Sequence, residues 1–265
     1  MERYDAAVRR DIEKNDAAFV GKPFSLVGEN AYPVQANTRH MAKLLLDHAA
    51  PDRASRAAAF AADLLEVSTA QHLKEKIARA RGCFHCCTTY VSTSLPEVFR
   101  LARAIDGDNH TSLKIYAASA KSKAMPQLQR EVDRVHCPIL VDGACSAYDV
   151  RPLVCRAVLS TSLESCLHIF QHGSTEPFQS PPSLGALRSY LVVMLRAALL
   201  IAKLPYRNFE LTHALEVALS TPNAEERWLA GEPVFDAVAI DHLYLAPSSI
   251  NKIVEGQAGA VRATI

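Results

Sequence analysis

Seven cysteines occur in this chain, and all of them lie between Cys83 and Cys166. None precedes that segment and none follows it. Small buried residues scattered through an ordinary core would not concentrate in this way. At 265 residues the chain is long enough to bury a core without a metal or disulfide to hold it together. A grouping of thiols in the middle third therefore points to chemistry or ligation, not to a stapled framework. The odd count also leaves any closed disulfide set incomplete.

The flanks read as helices. Asn37 and Thr38 are placed to cap a helix carrying Met41, Leu44, Leu45 and His48, which have i, i+3, i+4, i+7 spacing. Pro51 suits the first turn of a second helix through Ala57, Phe60, Ala61 and Leu64. A third is expected after Ser68, with Leu73, Ile77 and Ala80 on one face and Gly82 as its C-cap. Ser94 and Glu97 form a capping box before Val98, Leu101, Ala102 and Ile105, with Gly107 as the stop. Further helices are expected from Thr111 towards Met125, where Pro126 interrupts, then over Ser183 to Leu204 and Asn208 to Leu219. Gly173 to Ser183 is expected to be a loop, and Trp228 a packing residue in a short C-terminal helix.

The best strand signal is Pro138 to Cys145. Asp142-Gly143 is a two-residue hairpin turn that would pair Leu140 with Cys145. Such a turn is a mechanical way to bring distant sulfurs together.

The first cysteine group is Cys83-Phe84-His85-Cys86-Cys87. The Cys83 to Cys86 spacing lets two thiolates grip one ion from a tight loop. Soft sulfur ligands select zinc, copper(I) or iron–sulfur over magnesium or calcium. Cys87 fits less easily, because neighbouring side chains diverge in regular structure; it is either structural or serves a site with more than one metal atom. The second group, Cys137, Cys145, Cys155 and Cys166, has wide spacings that match no single zinc-finger pattern. His85 and His136 adjoin the cysteines and are further candidate ligands, and His168 and His172 form an i, i+4 pair after Cys166.

Cys83-x-x-Cys86-Cys87, Cys137-Pro138-x-Leu140 and Cys145-x-x-Tyr148-x-x-Arg151-Pro152-x-x-Cys155-Arg156 together resemble the YkgJ-type cysteine-cluster family. The stretch from Ala80 to Cys166 carries the resemblance. That family is described as zinc- or iron-chelating, and many members are labelled iron–sulfur-cluster proteins. The resemblance implies a metal site and fixes no reaction. The family carries a further cysteine three residues before Cys83, where this chain has Ala80. His85, His136, a carboxylate or water would have to take its place, or the site holds less metal.

Four thiolates around a divalent ion leave a net charge of about −2. Arg81, Arg134, Arg151 and Arg156 lie beside the cysteines in sequence and could offset it. Arginine keeps its charge and donates several hydrogen bonds. Tyr148 is read as packing, and Pro152 as fixing the turn that presents Cys155.

Other classes have little support. Lys plus Arg is 29 and Asp plus Glu is 28, a net charge of +1, so nothing suggests a general nucleic-acid or membrane-surface binder. No glycine-rich phosphate loop, nucleophile elbow or basic stripe with interleaved aromatics is present. The first residues are charged and lack an apolar core, so no secretory signal is expected and the compartment is expected to be the cytosol. The apolar run from Tyr190 to Leu204, interrupted by Arg196 and Lys203, is short of the ~20 residues of a membrane span.

The expectation is a mainly α protein: one helical domain over 1–265, a cysteine-rich metal-binding core over about 80–166, and at most a short β-hairpin. Residues 183–265 could stand as a helical C-terminal subdomain. The expected ligands are Cys83, Cys86, Cys87, Cys137, Cys145, Cys155 and Cys166, with Tyr148, Arg151 and Arg156 around them. An iron–sulfur cluster or iron is favoured over zinc, because seven thiols exceed what one structural zinc requires. Two alternatives remain open. One is a metal-dependent protein-modifying enzyme, by analogy with flagellin lysine N-methylases that carry a related cluster. The other is a structural zinc module for a protein partner.

Overall fold

The computed structural model describes residues 2–24, 31–78, 82–123, 129, 132–172, 179–238, 247–262 and 264–265. It is mainly helical, with two short antiparallel strand pairs. The N-terminal part holds α1 (Glu2–Asp16), α2 (Tyr32–Leu46) and α3 (Arg53–His72). Then follow β1 (Ser92–Ser94), α4 (Leu95–Ile105) and α5 (Asn109–Ser122). The hairpin β2 (Leu140–Val141) and β3 (Ala144–Cys145) leads to α6 (Leu153–Ala157) and α7 (Leu163–His172). The chain closes with α8 (Pro182–Ile201), β4 (Asn208–Glu210), α9 (Leu211–Ser220), α10 (Ala224–Leu229) and α11 (Pro247–Arg262).

Helix α8 is the axis of the core. Leu184, Leu187, Leu191, Met194, Leu195 and Ala198 recur at three- and four-residue intervals and are buried. They pack against α2, α3 and α6. Each leucine so buried contributes about 2 kcal/mol of hydrophobic stabilisation. On another face, Ala197 meets Val254 and Ala258 of α11. By length and composition α8 could cross a membrane; in this fold half of that stretch is buried inside the protein.

Two buried carboxylates join elements far apart in sequence. Asp16 receives Arg39 Nε at 2.8 Å and Nη2 at 2.7 Å, tying the end of α1 to α2. Glu225 of α10 accepts the Ser55 N–H at 2.8 Å and its hydroxyl at 2.7 Å, capping the first turn of α3.

Several sequence expectations need correction. Asn37 and Thr38 do not begin a helix; α2 starts at Tyr32 and both are buried within it. Asn37 Nδ2 donates to the Pro33 carbonyl at 2.8 Å, and its Oδ1 accepts the Gly21 N–H at 2.9 Å. Thr38 Oγ1 donates to the Val34 carbonyl at 2.8 Å. Short polar side chains satisfy a helix interior through the i−4 carbonyl as well as they satisfy a cap. His48 lies past the end of α2. Ser68 starts no new helix either, because α3 runs unbroken from Arg53 to His72 on an alanine-rich buried face. Beyond it, Leu73 to Ala78 is non-helical and Ala78 N–H pairs with the Ser160 carbonyl at 2.9 Å. Gly82 has a φ of +92° but no described helix precedes it, and Ala80 lies outside the described residues. Helix α5 starts at Asn109, capped by Asp108, and the expected interruption at Met125-Pro126 falls outside the described residues. Most of the Gly173–Ser183 loop lies outside them too, while Pro182 and Ser183 already belong to α8.

Besides the hairpin there is a pair that the sequence did not announce. Ser92, Thr93 and Ser94 face Glu210, Phe209 and Asn208 in antiparallel register. Both strands are three residues long and lead directly into helices, so the helix expected from Asn208 begins only at Leu211.

Candidate metal centre

The first cysteine group occupies a single 3₁₀ turn, His85–Thr88. Cys87 N–H donates to the Phe84 carbonyl at 2.8 Å, and the Thr89 hydroxyl caps the turn on the Cys86 carbonyl at 2.8 Å. Helix α7, which carries Cys166, packs against this turn.

The second group is stitched to the first through backbone. Cys137 N–H donates to the Cys87 carbonyl at 2.7 Å, and Leu140 N–H donates to the Cys137 carbonyl at 3.1 Å. The chain then enters the hairpin, where Leu140 pairs with Cys145 as the Asp-Gly spacing predicts. Asp142 and Gly143 have φ of +49° and +73°, the signs that a type I′ turn requires. Gly143 has a second role. A Cβ there would lie 3.3 Å from the Phe84 ring, a tight contact that would make the ring shift by a few tenths of an ångström. Phe84 in turn lies between two imidazoles, 4.9 Å from His85 and 6.2 Å from His136 between ring centres.

Cys155 arrives on α6. Tyr148–Val150 forms a 3₁₀ turn, and the Arg151 guanidinium lies 3.5 Å over the Tyr148 ring while its Nε donates to the Tyr148 carbonyl at 2.7 Å. Pro152 then sets the extended entry to α6. Tyr148 thus stacks on its own turn's arginine, and Pro152 immediately precedes the helix that carries Cys155.

These segments bring five sulfurs into one neighbourhood. The Cys87 thiol shares a hydrogen bond with Cys86, is half-buried, and lies within electrostatic reach of Cys137 and Cys155; together these push its pKa well above the ordinary thiol value. The Cys155 thiol is also pushed up, by burial first and then by Cys137, Cys86 and Cys145, with the Arg151 charge acting in the opposite sense. The hydrogen bond at Cys87 and burial at Cys155 do most to hold these thiols protonated, and repulsion between negative sulfurs adds to both. Cys86 also lines, with Cys83 and Cys166, a cavity of about 10 Å³. None of the seven cysteines is in a disulfide.

Adjacent Cys86 and Cys87 do not diverge as neighbours in regular structure would; the tight turn places their thiols in contact. Among the described residues, no group of three or more His, Cys, Asp or Glu side chains stands ready to hold a metal ion. The thiols are gathered, but they do not form a finished ligand shell. Their chemistry suits a soft metal, and the crowding of ionisable sulfur is what a bound cation would relieve.

The arginines divide. Arg151 lies close enough to Cys155 for its charge to favour the thiolate. Arg156 instead locks the preceding turn: its Nε donates to the Arg151 carbonyl at 2.9 Å, its Nη2 donates to the Asp149 carbonyl, and its Nη1 lies 3.9 Å from Glu66 of α3. Arg134 reaches the Gln171 carbonyl on α7. Arg81 lies outside the described residues. His168 lines an open groove along α7 with Leu163 and Gln171, and the side chain of His172 lies outside the described residues.

Sequence reasoning assigned Glu97 to the capping box alone. Its Oε2 does accept the Ser94 N–H at 3.0 Å and hydroxyl at 2.7 Å. Its Oε1 accepts the Leu153 N–H at 2.7 Å. The available signal was arithmetic: a capping carboxylate has two oxygens, and the box uses one.

No family model, curated protein or solved structure matches this chain.

Proposed function

We propose that the cysteine-rich segment binds a thiolate-ligated metal centre, with an iron–sulfur cluster or iron favoured over zinc. The observation that carries this reading is that Cys137 is bonded through its backbone N–H to Cys87 at 2.7 Å, and that Cys86, Cys87, Cys137 and Cys145 each lie within electrostatic reach of Cys155, which arrives on a separate stretch of chain. Neutral thiols are held together at little cost, but ionising them side by side is unfavourable unless something compensates. A soft cation compensates by displacing the thiol protons and taking up the negative charge. Cys83 and Cys166, beside Cys86, extend the donor set beyond what a single structural zinc needs. Arg151 offsets the charge of the thiolates. A reducing, cytosolic compartment suits such a set of thiols.

The test is anaerobic purification of the full chain, followed by elemental analysis and an absorption spectrum. A brown protein that bleaches on reduction supports iron–sulfur; a colourless protein with stoichiometric zinc supports the zinc alternative. A chain that carries no metal, and takes up neither Fe2+ nor Zn2+ when these are added under nitrogen, overturns the reading.

A further inference from the structure

We infer that Glu97 is a positioning residue that fixes Cys155 in the sulfur neighbourhood, acting through the first turn of α6. The inference deepens the metal-centre reading and rests on it for its purpose.

Glu97 is 8% exposed and both its oxygens are used. Oε2 gathers Thr93 Oγ1 at 3.1 Å, Ser94 N–H at 3.0 Å and Ser94 Oγ at 2.7 Å, all at the start of α4. Oε1 accepts Leu153 N–H at 2.7 Å. Leu153 is the first residue of α6, and Cys155 lies two residues further along the same five-residue helix. So short a helix has little stability of its own. Its place is set by what holds it: the buried Leu153 and Ala157 side chains, the Arg156 guanidinium bonded to the preceding turn, and a carboxylate rooted in α4. Helix α4 is anchored in the core through Leu95, Val98, Phe99 and Leu101. One carboxylate thus relays the rigidity of the helical core to a single cysteine. A neutral cap at the same position would serve Ser94 equally well. The bond to Leu153 is the part of the arrangement that capping does not explain.

Glu225 supplies a matched comparison. It too is a buried carboxylate that accepts a backbone N–H in a helix first turn, that of Ser55 at 2.8 Å; it also takes Arg103 Nε of α4 at 2.8 Å, and these bonds tie α10 to α3 and α4, neither of which bears a cysteine.

The experiment measures alkylation of Cys155 by iodoacetamide in the full-length chain, held in EDTA under nitrogen and resolved by peptide mass spectrometry, with Cys166 as internal reference. Glu97→Ala is expected to raise the Cys155 to Cys166 rate ratio at least tenfold, the change expected when a charge-assisted bond to a buried N–H is lost and the helix opens locally. Glu97→Asp keeps the charge but is one methylene short of spanning Ser94 and Leu153, and should raise the ratio several-fold. It carries the reading should the alanine variant not fold. Glu225→Ala should leave the ratio unchanged. An unchanged ratio in both Glu97 variants overturns the inference, and so does an equal rise in Glu225→Ala. Because the measurement is made without metal, a chain that binds none sinks the proposed function and leaves this result standing.

Discussion

The backbone N–H of Cys137 donates to the backbone carbonyl of Cys87 at 2.7 Å. The two cysteine groups are therefore registered by main chain, independently of their sulfurs. A metal would find the donors already gathered and would need only to draw them inward. Serine in place of cysteine should leave this bond in place.

It follows that Cys137→Ser and Cys155→Ser should keep the helical circular dichroism of the parent while losing at least half of the metal per chain. Elemental analysis beside the dichroism spectrum reads both. Loss of helix at unchanged metal content would mean that the sulfurs serve packing and not ligation.

Replacing Gly143 should cost more than replacing another left-handed glycine. Gly143→Ala forces a Cβ to 3.3 Å from the Phe84 ring at a φ of +73°, whereas Gly107, at +83°, has open space around it. The backbone penalty is about 1 kcal/mol in each. The Phe84 contact should add roughly 1 kcal/mol at Gly143 alone. Urea midpoints of the two variants measure the difference, and equal midpoints would refute the second role given to Gly143.

The Asp16–Arg39 pair should govern stability in acid. Burial pushes the Asp16 carboxyl up, but the Arg39 and Tyr32 hydrogen bonds and the Arg39 and Lys43 charges outweigh it and hold the pKa below 3.8. A carboxyl depressed by folding stabilises the protein above the unfolded value, and that stability is lost as pH falls through the folded value. Unfolding free energy should thus drop below pH 3.8, and Asp16→Asn should remove that part of the slope. At neutral pH the variant should be about 3 kcal/mol less stable, because Arg39, 2% exposed, is left without its carboxylate partner.

At the alkaline end the sign reverses. The Cys87 and Cys155 thiols are raised above 9.0 by folding, through the Cys86 hydrogen bond at Cys87, through burial, and through neighbouring sulfurs. Unfolding frees them to ionise. The metal-free chain should therefore hold its full thiol contribution below pH 9.0 and lose it as pH rises further. Cys155→Ala should flatten the loss between pH 9 and 11 (about two units above the free-thiol value). An unchanged slope would remove Cys155 from the crowded neighbourhood.

The parts legible in the sequence were those written in local chemistry. Ser94 and Glu97 announce a helix start because the capping box closes within one turn. Asp142-Gly143 announces a hairpin because both residues accept a positive φ. Trp228 packs on Phe99 at 5.4 Å between ring centres, as a lone tryptophan in an amphipathic turn should. The illegible parts depend on partners far along the chain. Asn37 reads as a cap until the turn at Gly21 takes up its side chain. Ser68 reads as a start until the continuous alanine face of α3 is seen to be buried through it. The pairing of Ser92–Ser94 with Asn208–Glu210 gives no signal, since three-residue strands are too short for alternation to show. The contact between the Cys86 and Cys87 thiols follows from a 3₁₀ turn that spacing alone does not specify.

That short strand pair also sets an order of events during synthesis. The strand that follows the first cysteine turn cannot find its partner until Glu210 has been made, after every one of the seven sulfurs has emerged. Long-range pairing of this kind is slow to close compared with local helices. The nascent chain therefore carries its full complement of sulfur before α8, β4 and the last three helices have been made.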